Sequence, residues 1–106
     1  MNDPAPNRGD IWLAHVDKVR PVVVLTRDPM GRLLHSVIVA PVTSTVRGVS
    51  TEVALGPADG IQHESVVSLD NVRLVARAHL LRRVGRASAG TMSAICRALS
   101  IAVGCD

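Results

Sequence analysis

The sequence has almost no aromatic residues. Its 106 residues include one tryptophan, Trp12, and neither tyrosine nor phenylalanine. This argues strongly against a sheet that binds RNA by stacking several bases on aromatic rings. The core must be built from aliphatic side chains, and these suffice because hydrophobic residues make up 47% of the chain. The same share argues against intrinsic disorder.

Long apolar runs and export signals are also missing. No run approaches the roughly 20 apolar residues of a membrane-spanning helix, and the N-terminal MNDPAPNRGD lacks the layout of a signal peptide. The only cysteines are Cys96 and Cys105. If they lie nine residues apart on a helix, they are separated by about 13 Å, which is too far for a disulfide. We therefore expect a cytoplasmic protein.

The usual signatures of catalysis are absent as well. The acidic residues are scattered singly, and no HExxH, P-loop or GxGxxG motif occurs. Four histidines (His15, His35, His63 and His79) lie far apart in sequence without helical pairing, so we expect no metal ion and no cofactor. A Ser-His-Asp triad stays open because its members need not be neighbours in sequence, although nothing resembles a nucleophile elbow.

Positive charge is carried almost entirely by arginine. Lys18 is the one lysine among twelve basic residues, and the formal net charge is +3. Residues 72–97 contain six arginines and no acidic residue. Such a segment suits an anionic partner, either nucleic acid or an acidic peptide. The arginine bias has an equally good second explanation, a GC-rich genome.

Short alternating or β-branched runs predict several strands, followed by one helix. The strand candidates are residues 11–16, 22–25, 36–40 (stopped by Pro41), 51–55, 65–69, 72–75 and 80–84. From Met92 to Val103 the apolar period becomes helical, with Ser88 as N-cap and Gly104 at the C-terminal cap. This order predicts an α+β fold, a small barrel or sandwich with a C-terminal amphipathic helix. We expect a flexible arm over residues 1–7 and a single domain over residues 8–106.

Two positions stand out as candidate binding groups. Arg20 precedes Pro21, which favours extended backbone at Arg20 and holds it at the start of a buried strand. Three hydroxyls (Thr43, Ser44 and Thr45) follow the strand that ends near Pro41 and could donate to phosphate oxygens. Taken alone, each position is more typical of an ordinary strand start or loop.

Together these segments resemble the MazF/PemK family of toxin–antitoxin ribonucleases. The matching pieces are Arg8-Gly9-Asp10-Ile11-Trp12, Arg20-Pro21 with the valines after it, Val39-Ala40-Pro41-Val42-Thr43-Ser44-Thr45, residues 51–55, 64–67 and 69–73, and the terminal helix. No single piece is specific, but six short segments in register, followed by the helix, are hard to obtain by chance.

The resemblance implies a small SH3-like β-barrel of the CcdB/PemK type, usually a homodimer. It implies a type II toxin that inhibits translation and growth by metal-independent, sequence-specific cleavage of single-stranded RNA. Attack by the 2′-hydroxyl would leave 2′,3′-cyclic phosphate and 5′-hydroxyl ends, so DNA would not be cut. The expected inhibitor is a cognate antitoxin with an acidic tail.

The family's catalytic arginine and threonine match Arg20 and Thr43. Asp70 and Asn71 match positions that line the RNA groove in relatives, and Lys18 and Arg73 are further candidates for RNA contact. Arg20 can stabilise the charge that develops on the phosphate with two N–H donors. Arginine is a poor general base because its pKa exceeds about 12, so proton transfer by Arg20 is implied by the family alone.

One departure from the family pattern concerns the loop before the arginine. Many relatives have a longer loop there with a glutamate that contributes to the site, whereas here residues 14–19 run almost directly into Arg20. His15 or Asp17 is the candidate replacement, since His15 titrates near neutral pH, and Ser44 is a further auxiliary candidate. The short loop also puts the sequence specificity of cleavage in question.

Two alternatives belong to other functional classes. The same fold occurs in CcdB-type toxins, which poison DNA gyrase without nuclease activity and carry a tryptophan near the C-terminus. This chain ends in Ala102-Val103-Gly104-Cys105-Asp106, which counts against that alternative. A non-catalytic SH3-like binding module would need neither Arg20 nor Thr43, but it would still bind an acidic peptide through residues 72–97.

Overall fold

The computed structural model describes residues 4–105. Its strands and helix, in chain order, are β1 (Asp10–His15), β2 (Val19–Val24), β3 (Ser36–Thr43), β4 (Glu52–Leu55), β5 (Ser65–Ser68), β6 (Arg73–Ala76), β7 (Leu80–Arg86) and α1 (Ala89–Val103). Short 3-10 turns occur at Met30–Arg32, Pro57–Asp59, Leu69–Asn71 and Arg77–His79. The predicted α+β class, with many short strands before one terminal helix, is confirmed.

All seven strands belong to one antiparallel sheet. Its order is β4-β5-β3-β2-β1-β7, and β6 pairs with the other half of the long strand β3. The path is open, because no ladder joins β4 to β7 within the described part of the chain. The sheet is therefore open rather than closed into a hydrogen-bonded ring. No helix within residues 4–105 is long and apolar enough to cross a membrane.

The two largest differences from the predicted strand boundaries concern β2 and β3. β2 begins at Val19 rather than Val22, so Arg20 lies within a strand and pairs with Ala14. β3 continues through Pro41 to Thr43. Proline lacks a backbone donor, but Pro41 lies where β3 changes partners, between its last pair with β6 at Val39 and its first pair with β5 at Val42. The missing N–H therefore breaks neither ladder.

The helix ends are those predicted from the sequence. The Ser88 side chain accepts a hydrogen bond from the Thr91 N–H, and Gly104 adopts the left-handed conformation with φ of 72°. Ile95 and Ala98 are buried against the sheet, and α1 packs on β4 and on the turn at Leu69–Asn71. Cys96 and Cys105 are free and exposed. The predicted flexible arm lies in part outside the described residues, and its flexibility stays a prediction.

The sheet has two faces with separate cores. We call the side packed by α1 the helix face; its buried cluster consists of Ile11, Val23, Leu25, Ala40, Val42, Leu55, Val67, Leu69, Ile95 and Ala98. We call the opposite side the cleft face; its buried cluster consists of Ala14, Val22, Val24, Val37, Val39, Val75 and Leu80. Successive residues of β2 and β3 belong to alternate clusters because side chains of a strand alternate between the faces of a sheet.

Candidate active site

A cleft opens on the cleft face, where its apolar cluster ends. Its volume is about 330 Å³. Its walls come from the β1–β2 hairpin, β2, the end of β3, the start of β4 and the segment from β5 to β6. The lining residues are Val16, Asp17, Arg20, Pro41, Thr43, Thr45, Arg47, Glu52, Ser68, Asn71 and Arg73.

The register of β2 against β3 brings Arg20 and Thr43 together. Val22 lies opposite Pro41. Continuing this antiparallel register by two residues places Arg20 opposite Thr43, and residues directly opposite each other project to the same face. The sequence separates these two residues by a loop and a strand, but the sheet makes them neighbours at one end of the cleft.

Arg20 is held by one neighbour and has one buried donor unpaired. An Nη nitrogen donates to Asp17 Oδ2 at 2.9 Å, and the Arg20 side chain is 23% exposed. Nε is buried and has no hydrogen-bond partner within residues 4–105. Buried donors are nearly always satisfied in folded proteins, so this Nε–H is a position for an acceptor that residues 4–105 do not supply.

Asp17 is mostly exposed and its charge faces that of Arg20. Desolvation raises the pKa of Asp17, but the backbone N–H groups of Asp17 and Lys18 and the Arg20 guanidinium outweigh it. The net result is a pKa below the ordinary value for aspartate. A carboxylate with a lowered pKa is a weaker base, so this geometry suits Asp17 to orienting Arg20 rather than to accepting a proton.

Thr43 has its hydroxyl oxygen fixed by the following turn. Thr43 Oγ1 accepts from the Thr45 N–H at 3.1 Å. A threonine hydroxyl has one O–H donor besides its acceptor lone pairs, so Thr43 can still donate a hydrogen bond into the cleft. The C-terminal end of β3 thus supplies a hydroxyl donor close to Arg20.

The other predicted site residues divide into three groups. Asn71 and Arg73 line the cleft, and Asn71 Nδ2 donates to Ser68 Oγ at 2.8 Å. Lys18 and Ser44 line a second depression that also includes Arg20 and Thr43. Neither Asp70 nor His15 is among the residues that line either hollow.

Asp70 and His15 have other positions. Asp70 Oδ2 accepts from Thr51 Oγ1 at 2.6 Å. His15 is exposed at the end of β1, where it follows Ala14, the partner of Arg20. By strand alternation the imidazole projects away from the cleft face.

The arginine-rich segment does not form one surface. Arg73 lines the cleft, Arg77 donates to the Arg32 carbonyl, and Arg83 and Arg86 both face the buried Asp10 carboxylate, at 3.7 and 2.8 Å. Arg82 and Arg97 are exposed. Part of the positive charge is therefore structural, since it neutralises a buried acid.

Sequence reasoning missed several lining residues, above all Arg47 and Glu52. Glu52 Oε1 accepts from the N–H groups of Gly48, Arg47 and Val49 at 2.8, 3.0 and 3.5 Å. Arg47 Nε lies 3.6 Å from Glu52 Oε2. Nothing in the residue pattern reveals these bonds, because Glu52 reads as an ordinary polar position of an alternating strand.

The environment of Glu52 favours its ionised form. Desolvation raises the pKa of Glu52, but the N–H donors of Gly48, Arg47 and Val49 and the Arg47 charge lower it by more. The net result is a pKa below the usual value for glutamate. The two acids of the cleft, Asp17 and Glu52, are thus each bound by an arginine. Arg73 has no acidic partner within 4.0 Å among residues 4–105.

The cleft therefore offers donors and positive charge rather than metal ligands. In the described part of the chain, no three His, Cys, Asp or Glu side chains lie close enough together to hold a metal ion. Three guanidinium groups, a threonine hydroxyl and an asparagine amide face one hollow. Such a set can bind a phosphodiester and stabilise added charge on its oxygens.

Comparison with known proteins assigns this chain a family. A family model described as the PemK-like, MazF-like toxin of the type II toxin–antitoxin system matches residues 7–103. The chain is 45% identical over 104 residues to a probable endoribonuclease, MazF5, of Mycobacterium tuberculosis, covering 95% of each protein. It is 40% identical over 96 residues to endoribonuclease MazF3 of the same species, covering 91% of this chain and 93% of the relative.

Solved structures agree with the sequence comparison. The Mycobacterium tuberculosis toxin MazF-mt6 superimposes with a TM-score of 0.88 at 39% identity, over 92% of this chain and 98% of that chain. A mycobacterial endoribonuclease in complex with its cognate antitoxin gives a TM-score of 0.88 at 27% identity, over 96% and 98% of the two chains. The similarity in both comparisons extends over nearly the whole chain.

Proposed function

The chain belongs to the PemK-like, MazF-like toxin family of type II toxin–antitoxin systems, and from this premise we propose that it is an endoribonuclease that cleaves single-stranded RNA around Arg20 and Thr43 without a metal ion. The relatives named endoribonucleases cover nearly all of this chain, which supports the proposal. The family model and these names favour RNA cleavage over gyrase poisoning of the CcdB type.

The reaction needs no nucleophile from the protein. The RNA 2′-oxygen forms a bond to the neighbouring phosphorus and loses its proton, and the bond between phosphorus and the 5′-oxygen breaks. The 5′-oxygen takes up a proton, which leaves a 2′,3′-cyclic phosphate and a 5′-hydroxyl. The protein must stabilise the five-coordinate phosphorus, whose non-bridging oxygens carry added negative charge.

Arg20 supplies this stabilisation, and its unpaired Nε is the observation that carries the proposal. Residues 4–105 leave one buried donor of this partly exposed guanidinium without an acceptor. A phosphate oxygen would satisfy it, and the planar fork of arginine matches a phosphate with two parallel hydrogen bonds. Asp17 accepts from an Nη nitrogen of the same guanidinium at 2.9 Å, which orients the group before RNA binds.

Thr43 and the cleft walls complete the site. The Thr43 hydroxyl donates to the same phosphate, and Asn71 and Arg73 contact the RNA on the side towards β6. Lys18 and Ser44 contact the nucleotide on the other side of the scissile phosphate, in the second depression. Asp70 supports the neighbouring segment through Thr51 rather than contacting RNA, and His15 lies outside the site.

The cellular setting follows from the same family. We expect a cytoplasmic homodimer that arrests growth by cutting RNA. Its inhibitor would be a cognate antitoxin whose acidic tail lies across the cleft, and the mycobacterial neighbour in complex with its cognate antitoxin supports this expectation. Unpaired positive charge such as that of Arg73 would give the tail electrostatic complementarity.

The test is to map the ends produced from a long single-stranded RNA in EDTA. Wild type should cut at a defined motif and leave 5′-hydroxyl ends, and a DNA strand of the same sequence should stay intact. Arg20→Ala and Thr43→Val should each lower cleavage about 10²- to 10³-fold while remaining folded. A folded, antitoxin-free wild type that cuts no RNA would refute the proposal.

A further inference from the structure

The loop between β3 and β4 follows Thr43 directly and delivers a charge to the cleft that the proposed chemistry does not use. That charge is Arg47. Resting on the proposed function, we propose that Arg47 forms a second phosphate-binding position in the cleft, for a phosphate other than the scissile one. We further propose that Glu52 is the positioning residue that holds Arg47 there.

Glu52 is placed to organise the loop rather than to meet a ligand. Its side chain is 4% exposed. Oε1 accepts three consecutive backbone N–H groups, from Arg47 to Val49, and Oε2 lies 3.6 Å from Arg47 Nε. One buried carboxylate thereby fixes the backbone at Arg47 by hydrogen bonds and attracts the guanidinium by its charge. A charge-assisted contact to several N–H groups is stronger than a neutral one.

Arg47 itself remains open towards solvent. Its side chain is 58% exposed and lines the cleft. Only Nε faces Glu52, and the two Nη groups have no partner within residues 4–105. An arginine whose Nε faces an acid and whose Nη groups are unpaired keeps donors for an incoming phosphate. Because its position is already restricted, it loses little rotational freedom when the phosphate binds.

The positions of the two arginines assign them to different phosphates. Arg20 lies on β2 and Glu52 on β4, and the sheet order inserts β3 and β5 between them. Measured along the sheet, three steps between neighbouring strands separate the backbones of β2 and β4 by about 14 Å. Each guanidinium is also tied to an acid at its own edge of the cleft, Arg20 to Asp17 and Arg47 to Glu52. One phosphate bound at Arg20 therefore leaves Arg47 free for another phosphate of the same strand.

This assignment makes Arg47 a binding residue and Glu52 its support. Removing either group should weaken RNA binding and raise KM, with kcat unchanged, because the contact is the same in ground state and transition state. The electrostatic part should appear in the salt dependence. For single-stranded nucleic acid, each phosphate contact contributes a slope of about 0.7 to log Kd against log salt.

The experiment measures binding of a mixed-sequence 2′-O-methyl oligoribonucleotide, which lacks the attacking hydroxyl, at several KCl concentrations. Arg47→Gln should weaken binding roughly three- to tenfold and lower the salt slope by about 0.7. Glu52→Gln should reproduce much of this effect, and the double variant should bind no more weakly than Arg47→Gln alone. Arg27→Gln, an exposed arginine just beyond the opposite end of β2, is the matched control and should match wild type.

Failure of this inference is distinguishable from failure of the proposed function. An unchanged slope and KM in Arg47→Gln, with RNA still cut, would overturn the inference and leave the nuclease intact. A reduced slope with no RNA cleavage by wild type would refute the nuclease alone. If Glu52→Gln melts at a much lower temperature, the Arg47→Gln data still test the phosphate position. Additive losses in the double variant would overturn the role of Glu52.

Discussion

The helix face and the cleft face are built from the same strands, but their rows of side chains differ. The rows on the helix face stay apolar, whereas those on the cleft face become polar at one end. On the helix face, rows of aliphatic side chains such as Val23, Leu25, Ala40 and Val42 lie buried under α1. On the cleft face, β2 presents Val24 and Val22 as core and then Arg20, while β3 presents Val39 and Pro41 and then Thr43. The functional groups are therefore the polar continuation of two apolar rows.

This difference explains how a small chain can hold a precise site. Arg20 and Thr43 each lie two residues from a strand position that is buried or paired, Val22 for Arg20 and Pro41 for Thr43. Their backbones are consequently fixed by the second core, and only their side chains face the cleft. Sites on regular elements are held more precisely than sites on loops. The helix face, by contrast, carries stability without chemistry, so the two faces should respond differently to substitution.

The largest expected effect is on stability, from the helix face. Ile95 of α1 is fully buried in that cluster, so Ile95→Ala should lower the free energy of unfolding by about 2–5 kcal/mol. Urea denaturation measures this loss. Ile101→Ala, on the exposed side of the same helix, should change it by about 0.5 kcal/mol or less. A large loss of kcat in folded Ile95→Ala would break the separation of the two faces.

The next largest effect is on RNA cleavage, from a substitution on the cleft face that should leave stability unchanged. Arg20→Lys keeps the charge but loses the planar fork. Loss of one hydrogen bond to a charged group amounts to about 1.5–3 kcal/mol, so single-turnover cleavage should fall roughly 10- to 100-fold. The unfolding midpoint should stay near that of wild type. Arg27→Lys is the control, and equal cleavage by Arg20→Lys and wild type would show that charge alone suffices.

A smaller effect, on both stability and RNA affinity, is expected at a buried residue of the cleft wall. Ser68 accepts the Asn71 amide at 2.8 Å, so Ser68→Ala should cost about 0.5–1.5 kcal/mol of stability and also weaken RNA binding by releasing Asn71. Thr26 is a buried hydroxyl at the far end of β2 and accepts the Ile38 N–H at 2.8 Å. Thr26→Val should cost similar stability without altering RNA affinity. Equal RNA affinities of both variants would contradict the role given to Asn71.

Much of the fold could be predicted from sequence because local rules decide it. β-branched runs marked the strands, and the helical period with Ser88 and Gly104 at its ends marked α1. The errors occurred where tertiary pairing outweighs local preference. Pro41 reads as a strand end, yet its place at the change of partners lets β3 continue. Arg20 lies outside the predicted strand 22–25, yet its pairing with Ala14 extends β2.

The candidate site was predictable only in part, for a related reason. Arg20 and Thr43 stood out as candidate binding groups from their local context, but only the family pattern gave them catalytic roles. Arg47 and Glu52 were missed because their importance lies in hydrogen bonds to backbone N–H groups, which no residue spacing reports. The openness of the sheet likewise depends on pairing between distant strands, which short sequence patterns do not encode.

The smallest effect is on the pH dependence of stability, and it should arise from the cleft face. Both carboxylates with lowered pKa, Asp17 and Glu52, line the cleft. The folded-state pKa of Glu52 lies below its ordinary value of 4.5. Its contribution to stability is therefore fully present above that value and is lost as pH falls through the folded pKa. The difference in melting temperature between wild type and Glu52→Gln should be greatest at neutral pH and shrink below about pH 4.5.

Melting curves from pH 7 to pH 3 measure this convergence. Ile101→Ala removes no titratable group, so its difference from wild type should stay constant over the same range. If the difference for Glu52→Gln were equally constant, the N–H groups of residues 47–49 would not favour the charged carboxylate. Convergence would instead mean that the ionised form of Glu52 holds the loop, because only the carboxylate can accept all of these N–H groups and face the Arg47 charge at once.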